Sequence, residues 1–378
     1  MEKYFLGSNT HSGFGGFYDE ITAGINHVYL LKGGAGTGKS SLMKKVLKMG
    51  LDVGYKCESW HCSGDPNSLD GVYVKDLDVV VVDATSPHAV EPKIPVAKDS
   101  VINLLDYVDK DKIIKYRDVL EKLSNNKKQC FVCGYEHLNI AYCHYVQTKR
   151  IASMAMDSAL IRAKAKEFAL DMLMEFECLN DGDNVKEWGY VNGGIDGVIS
   201  AKRTTKNLSL GGVTKRFFRA ITPDGIVGYD DHLKDKTVWH IKGESGSVNC
   251  FLRVVVETVE NWICTDRARD LELTVFYNPL DIRLVDGFML GNTVVIPYQE
   301  SVDGALIYDL SWYEGDFDKY ALGRAKMKMK EEIDLAVDYF SKARCVHFAI
   351  EKYYISAMNF DAVNILTEKL LDEIFDKH

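Results

Sequence analysis

The sequence predicts an α/β fold built twice over: two tandem domains, each a three-layer α/β/α unit on a mostly parallel sheet, each with a helical extension. Three observations lead there. An apolar run, a glycine-rich stretch and a helix-forming stretch follow one another in HVYLLKGGAGTGKSSLMKKV, residues 27–46. A β-branched run ends in a carboxylate in DLDVVVVDATSPH, residues 76–88. Four blocks of the first half recur, in order, in the second.

The glycine-rich stretch Gly33-Gly34-Ala35-Gly36-Thr37-Gly38-Lys39-Ser40 fits the pattern G-x-x-x-x-G-K-[ST], a P-loop. Val28 to Leu31 reads as a buried parallel strand, and SLMKKVLKM after Ser40 is rich in helix formers. The glycines let successive N–H groups point at phosphate oxygens, and the helix dipole favours an anion there. Residues Gly33 to Ser41 (Ser41 follows the motif) are therefore the expected phosphate-binding stretch. Lys39 is expected to reach the β- and γ-phosphates and the Ser40 hydroxyl to bind Mg²⁺.

The second metal-side group is expected at the end of a later strand. Val79–Val82 supplies the strand and Asp83 the carboxylate, at the edge where parallel sheets bind ligands. GYKCESWHC, residues 54–62, reads as one further strand, so an extra strand is expected to separate the two motifs. That order resembles P-loop ATPases of the group with an extra strand between the motifs, which often place a catalytic Glu directly after the Asp; Ala84 stands there in this chain. The base is therefore sought in Asp65, Asp70, His88 and Glu91, with Asp70 first. Thr85 reads as a turn cap or a γ-phosphate sensor.

The repeat is read from KYFLGSNTHSGFGGFYD, residues 3–19, against RFFRAITPDGIVGYD, residues 216–230. VYLLKGG is answered by VWHIKGE, SLDGVYV by LVDGFML, and AYCHYVQTKRIASMAMD by ARCVHFAIEKYYISAMN. Such order marks duplication of a whole domain. Read through it, Gly243-Glu244-Ser245-Gly246-Ser247-Val248-Asn249-Cys250 is the second copy of the loop. Asn249 replaces the lysine, Cys250 the hydroxyl, and β-branched Val248 the glycine of a positive-φ turn. Pro297 and Tyr298 stand near the place of the strand-end carboxylate. The second domain is expected to keep the fold and not hydrolyse nucleotide. Asp70 keeps a counterpart in Asp286, so a structural role weighs evenly against a catalytic one.

Together these stretches, with HCSGDPNSLDGV, VDATSPHAVEPK and EKYYISAMNF, resemble a family of bacterial tandem P-loop ATPases, mostly of Firmicutes, in the nucleoside-triphosphate hydrolase superfamily. The resemblance runs along nearly the whole chain. It implies nucleotide binding at Gly33–Ser40, the Mg²⁺ role for Asp83, and ATP rather than GTP; no N-K-x-D stretch is present to read guanine. In typical members the second loop resembles an intact motif, and this chain departs there.

The expected domains are 1–212, with its extension at 101–178, and 213–378, with its extension at 316–378. About four helices are expected in the first extension and three in the second. They are read as packing on each other, or as a hairpin or lid over the nucleotide. Cys130, Cys133, His137, Cys143 and His144 lie at helical spacing and read as helix positions, not a zinc site. Cys57 and Cys62, with His61 between them, lie on an expected strand and read as small core residues rather than ligands. LSLGG, residues 208–212, resembles a transporter signature loop but lacks the helical domain ahead of it. Arg203, Arg216 and Arg219 are weighed as an arginine finger against a solvated basic stretch. KMKMKEEIDLAVDYF, residues 326–340, reads as a solvated helix face.

A net charge of −9 argues against broad nucleic-acid binding, which needs a basic surface. No apolar run approaches the ~20 residues of a membrane span. MEKYFLGSNT lacks the regions of a signal peptide, and nine cysteines read as reduced thiols, which gives a cytoplasmic expectation. The expected function is Mg²⁺-dependent ATP binding with slow hydrolysis at the first domain. The second domain is then a regulatory or partner-binding platform, and the halves pair within a chain or between chains. Two further classes remain: a small-molecule or nucleoside kinase with an acceptor site, and a non-catalytic nucleotide-gated interaction module.

Overall fold

The computed structural model describes residues 1–21, 24–180, 212–263, 271–298 and 304–376. The first half forms β1 (Glu2–Phe5), β2 (Gly7–Thr10), β3 (Gly13–Gly16), α1 (Tyr18–Ile21), β4 (His27–Lys32), α2 (Lys39–Val53), β5 (Cys57–His61), β6 (Leu69–Val74), β7 (Val79–Asp83), β8 (Asp99–Asn103), α3 (Lys110–Ile114), α4 (Arg117–Ser153) and α5 (Ser158–Asn180). The second forms β9 (Val213–Arg216), β10 (Arg219–Thr222), β11 (Gly225–Gly228), β12 (Thr237–Lys242), α6 (Ser245–Ile263), β13 (Leu273–Tyr277), β14 (Val285–Leu290), β15 (Thr293–Pro297), β16 (Leu306–Asp309), α7 (Lys319–Ala357) and α8 (Phe360–Phe375).

Each half contributes one six-stranded sheet, ordered β1-β5-β6-β7-β4-β8 and β9-β13-β14-β15-β12-β16. The two repeat each other strand for strand. Both are mixed rather than mostly parallel. β6 runs against β5 and β7, and β14 against β13 and β15, while the other neighbours are parallel. The two halves meet at a symmetric pair of hydrogen bonds, Phe5 N to Phe217 O at 3.0 Å and Phe217 N to Phe5 O at 2.8 Å.

The three-layer expectation needs correcting to four layers. Alternate strand residues point to opposite faces. Tyr29 and Leu31 of β4, with Val79 and Val81 of β7, pack beneath α2. Val28, Leu30, Val80 and Val82 point the other way and meet Val238, Phe276, Met289, Val294 and Ile296 of the second sheet. The sheets thus bury one face against each other and cover only the outer faces with helices. Arg216, weighed as a finger, is 3% exposed and bonds the Glu58 carboxylate of the opposite half. Arg219 opens β10, and Arg203, like most of LSLGG, lies outside the described residues.

The outer helices are exchanged between halves. α5 comes from the first half, yet its Ile161, Ala165 and Phe168 pack on Phe251, Leu252 and the second sheet. α8 comes from the second half, yet its Leu370, Leu371 and Ile374 pack on Leu42, Met43, Val46 and the first sheet. The carriers are α4 and α7, of 37 and 39 residues. They lie antiparallel: Lys127 meets His347, His137 bonds Glu332 at 2.7 Å, and Tyr116 meets Tyr353. Long uninterrupted helices explain why 101–178 holds fewer helices than the expected four, and 316–378 two rather than three. Asp318 caps α7 by accepting from Ala321 N, and Asn359 caps α8 by accepting from Ala362 N. Residues 326–340 are not simply solvated, because Ile333, Ala336 and Phe340 bury one face against α4. Cys130, Cys133 and His137 all sit on α4. Among the described residues no helix is long and apolar enough to cross a membrane.

At the α4–α7 crossing, a Cβ added at Gly134 would lie 2.4 Å from a ring carbon of buried Phe340. Gly134→Val should therefore overpack the crossing and lower unfolding free energy by about 1–3 kcal/mol in urea titrations. Gly323→Ala, exposed on α7 with open space at its Cβ, should instead leave stability unchanged or raise it by up to about 1 kcal/mol.

Candidate functional site

β4 delivers the glycine-rich stretch to the sheet edge, and α2 begins at Lys39. The turn between them uses positive φ at Gly36 (71°) and Gly38 (96°), a region that L side chains avoid. Lys39 is the pivot. Its Nζ donates to Gly33 O at 2.6 Å and Gly34 O at 2.8 Å, and stands 3.6 Å from Asp83 Oδ2. Thr37 Oγ1 donates to Gly34 O, which ties the turn from inside.

Asp83 ends β7, which pairs directly with β4, Leu31 opposite Asp83. The strand expected between the two motifs in the chain is present as β5, and a second, β6, follows it. β5 and β6 intervene in the chain but lie on the far side of β7 in the sheet. Thr85 neither caps freely nor faces outward: it donates to Gly33 O at 2.9 Å and accepts from Gly33 N. Asp83 Oδ1 accepts from Thr85 N at 2.8 Å. The strand-end segment therefore grips the loop's first residue. Ser40 Oγ accepts from Leu69 N at 3.0 Å, and Ser41 is exposed on α2. Burial pushes the Asp83 carboxyl above its ordinary range, and Lys39 only partly draws it back.

The four candidate bases separate. Asp65 accepts from Asn67 N and Ser68 Oγ and holds a turn. Glu91 pairs with Lys32 and is 77% exposed. Asp70 and His88 are buried together, 3.5 Å apart, with Tyr18 OH donating to Asp70 at 2.8 Å. None of the four forms a hydrogen bond or ion pair with Lys39 or Ser40.

The loop is covered by the other half. The corner between α7 and α8 brings Tyr354 to 3.7 Å from a Cβ built at Gly34, and Glu351 O to 2.9 Å from one at Gly36. Phe360 and Val363 stand over Gly38. The Glu351 carboxyl is drawn below its ordinary range by His347, and further by the Gly36 N–H and Lys39. No signal in the sequence assigns this corner to the first loop, because repeat alignment places α7 and α8 with their own half.

The second loop is absent as a loop. α6 begins at Ser245, so the residues matching the first turn are wound into its opening turns. Val248 stands where Gly38 takes φ 96°, and a β-branched residue there leaves helix as the stable alternative. Asn249 accepts from Tyr145 OH at 2.7 Å instead of reaching a loop carbonyl. Glu244 N donates to the Glu314 carboxylate at 2.7 Å, so a carboxylate from the chain itself sits at the mouth of α6. Pro297 pairs with Ile241 in the register that Asp83 holds with Leu31.

No family model, curated protein or solved structure matches the chain. The chemistry of the site is accordingly argued from its own residues. A carboxyl whose folded pKa is raised costs stability once ionised, so stability falls as pH rises from the ordinary value of 3.8 through the raised one. Asp83→Asn removes that cost. Urea denaturation at pH 7 should find the variant more stable than the parent, with the gain gone below the ordinary carboxylate range.

Proposed function

We propose that the first half binds ATP with Mg²⁺ at Gly33–Ser41 and hydrolyses it slowly, and that the second half acts as a regulatory platform. The observation that carries this reading is a single constellation. A positive-φ glycine turn runs from a buried strand into a helix N-terminus, with Lys39 3.6 Å from the strand-end carboxylate Asp83. Backbone N–H groups of such a turn suit phosphate oxygens, and Lys39 offers a cation with 12% side-chain exposure. In this low-dielectric setting one fixed charge counts for more than in water.

The hydroxyl of Ser40 and the carboxylate of Asp83 are hard oxygen donors, and they fit Mg²⁺, which prefers oxygen and keeps several waters. Bound with the nucleotide, Mg²⁺ would supply neutralisation of phosphate charge. The chain's own part is positioning and electrostatic stabilisation by Lys39 and the loop N–H groups. Ala84 offers no carboxylate next to Asp83, and Asp70 is held by Tyr18. Turnover is therefore slow under this reading.

A second reading is favoured by the α7–α8 corner. Glu351 lies near enough for the Gly36 N–H and Lys39 to help draw its carboxyl down, so a phosphate at the loop would meet that carboxylate. A nucleotide would then act chiefly by moving α7, as in a nucleotide-gated interaction module without significant hydrolysis. Phosphate-release assays on Lys39→Ala and Asn249→Ala test the one-site reading. Lys39→Ala should lose at least 10²-fold in turnover, about 2.7 kcal/mol or more of transition-state stabilisation, and Asn249→Ala should retain it. Equal loss from both would overturn the one-site reading.

A further inference from the structure

Outside the residues assigned to nucleotide, three side chains of different chemistry converge. One ligand atom from each of Cys62, Asp70 and His88 lies within 4.8 Å of the other two. They come from three segments: the turn after β5, β6 itself, and the loop after β7. The Asp70 and His88 side chains are 5% and 9% exposed. We propose that Cys62, Asp70 and His88 form a site for a divalent transition metal of the Zn²⁺ type, separate from the Mg²⁺ of a bound nucleotide.

The donor set selects the class of ion. A thiolate and an imidazole suit Zn²⁺ and its neighbours, whereas Mg²⁺ and Ca²⁺ take oxygen. One thiolate and one carboxylate around a dication leave a neutral site, which suits a buried place. The surroundings fit a ligand shell. Tyr18 OH donates to Asp70 Oδ2 at 2.8 Å and fixes the carboxylate. The rings of Phe14 and Tyr18 hold the imidazole, at 5.0 and 4.6 Å between centroids. His88 presents Nε2 to Asp70 Oδ2 at 3.5 Å, and its buried Nδ1 has no hydrogen-bond partner. A Cys-His-Asp relay would need the carboxylate on one ring nitrogen and the sulfur on the other. Here Nε2 faces Asp70 and Nδ1 faces no partner.

The second half serves as an internal comparison. Cys62 N bonds Ser68 O as Asn278 N bonds Leu284 O, so Asn278 stands in the place of the cysteine. There the amide donates straight to Asp286 Oδ1 at 3.2 Å and satisfies the carboxylate. The first half has a thiol instead, and only there do the three ligand types meet among the described residues. The site also touches the loop at one remove. Leu69, next to Asp70, donates to Ser40, and His88 N donates to the carbonyl of Thr85, which grips Gly33. A metal joining the three segments would hold both supports of the loop.

The test uses the full-length chain, freed of metal by dialysis against a chelator and titrated with Co²⁺. One equivalent should bind, with visible d–d bands of four-coordinate Co²⁺ and a near-ultraviolet thiolate-to-metal band. Cys62→Ser should abolish the thiolate band, and Asp70→Asn and His88→Gln should each weaken binding at least tenfold. Far-ultraviolet circular dichroism confirms that each variant scored is folded, and Cys143→Ser, on exposed α4 surface, should behave as the parent. Absence of stoichiometric binding by the parent would overturn the proposal. So would a thiolate band that survives in Cys62→Ser, or binding undiminished in both Asp70→Asn and His88→Gln.

Discussion

The antiparallel packing of α4 on α7 is the contact on which the rest of the architecture depends. Each helix leaves its own sheet, crosses the other, and returns the chain onto the opposite sheet as α5 or α8. Gly134 lets the backbone of α4 lie against Phe340, and Leu138, Ala141, Ile333 and Ala336 fill the crossing. Without it, α8 has no route to Leu42, Met43 and Val46, and α2 alone covers the outer face of the first sheet. Burial of Leu370, Leu371 and Ile374 is worth about 1.5–3 kcal/mol each, so the exchange stabilises both sheets. It also makes the two halves mutually dependent: each sheet is finished by a helix of the other's sequence.

That exchange gives one duplicated fold two different loops with one relation between them. In both halves a corner of the facing helical arm rests on the place where a P-loop would stand. Gly34 and Gly36 meet Tyr354 and Glu351, and Gly246 meets Ser153 and Lys149. A carboxylate from the chain approaches the backbone N–H groups in both, Glu351 at Gly36 and Glu314 at Glu244. The first half keeps the positive-φ turn with Lys39 beside Asp83, and neither has a match at Val248 and Asn249. In the second, valine has converted the turn to helix. The first loop is thereby in direct contact with the second half through α7.

Much of this was legible in the sequence, and the limits are physical. The strand, turn and helix around Lys39 were readable because glycine spacing and apolar runs are local signals. Asp83 was readable because Val79–Val82 ends on it. The repeat was readable from ordered blocks, and the loss of Gly38's counterpart at Val248 foretold the missing turn. The layer count was not readable. Val28 and Leu30 are as apolar as Tyr29 and Leu31, and nothing in a fully buried strand says whether a helix or a second sheet covers each face. Nor does helical periodicity name a partner, so Leu370 and Leu371 could not be assigned to the opposite half. Cys62, Asp70 and His88 lie in three segments whose meeting requires the sheet order, and β6 between β5 and β7 was not read as a strand.

Under the proposed function, the first loop carries the nucleotide and the α7–α8 corner of the second half responds to it. Hydrogen exchange of backbone amides, with and without ATP and Mg²⁺, measures both parts at once. Exchange should change at residues 33–41 together with residues 351–363, and not at 243–250. Change at 243–250 to the same degree, or change at 33–41 with the 351–363 corner unaffected, would contradict it.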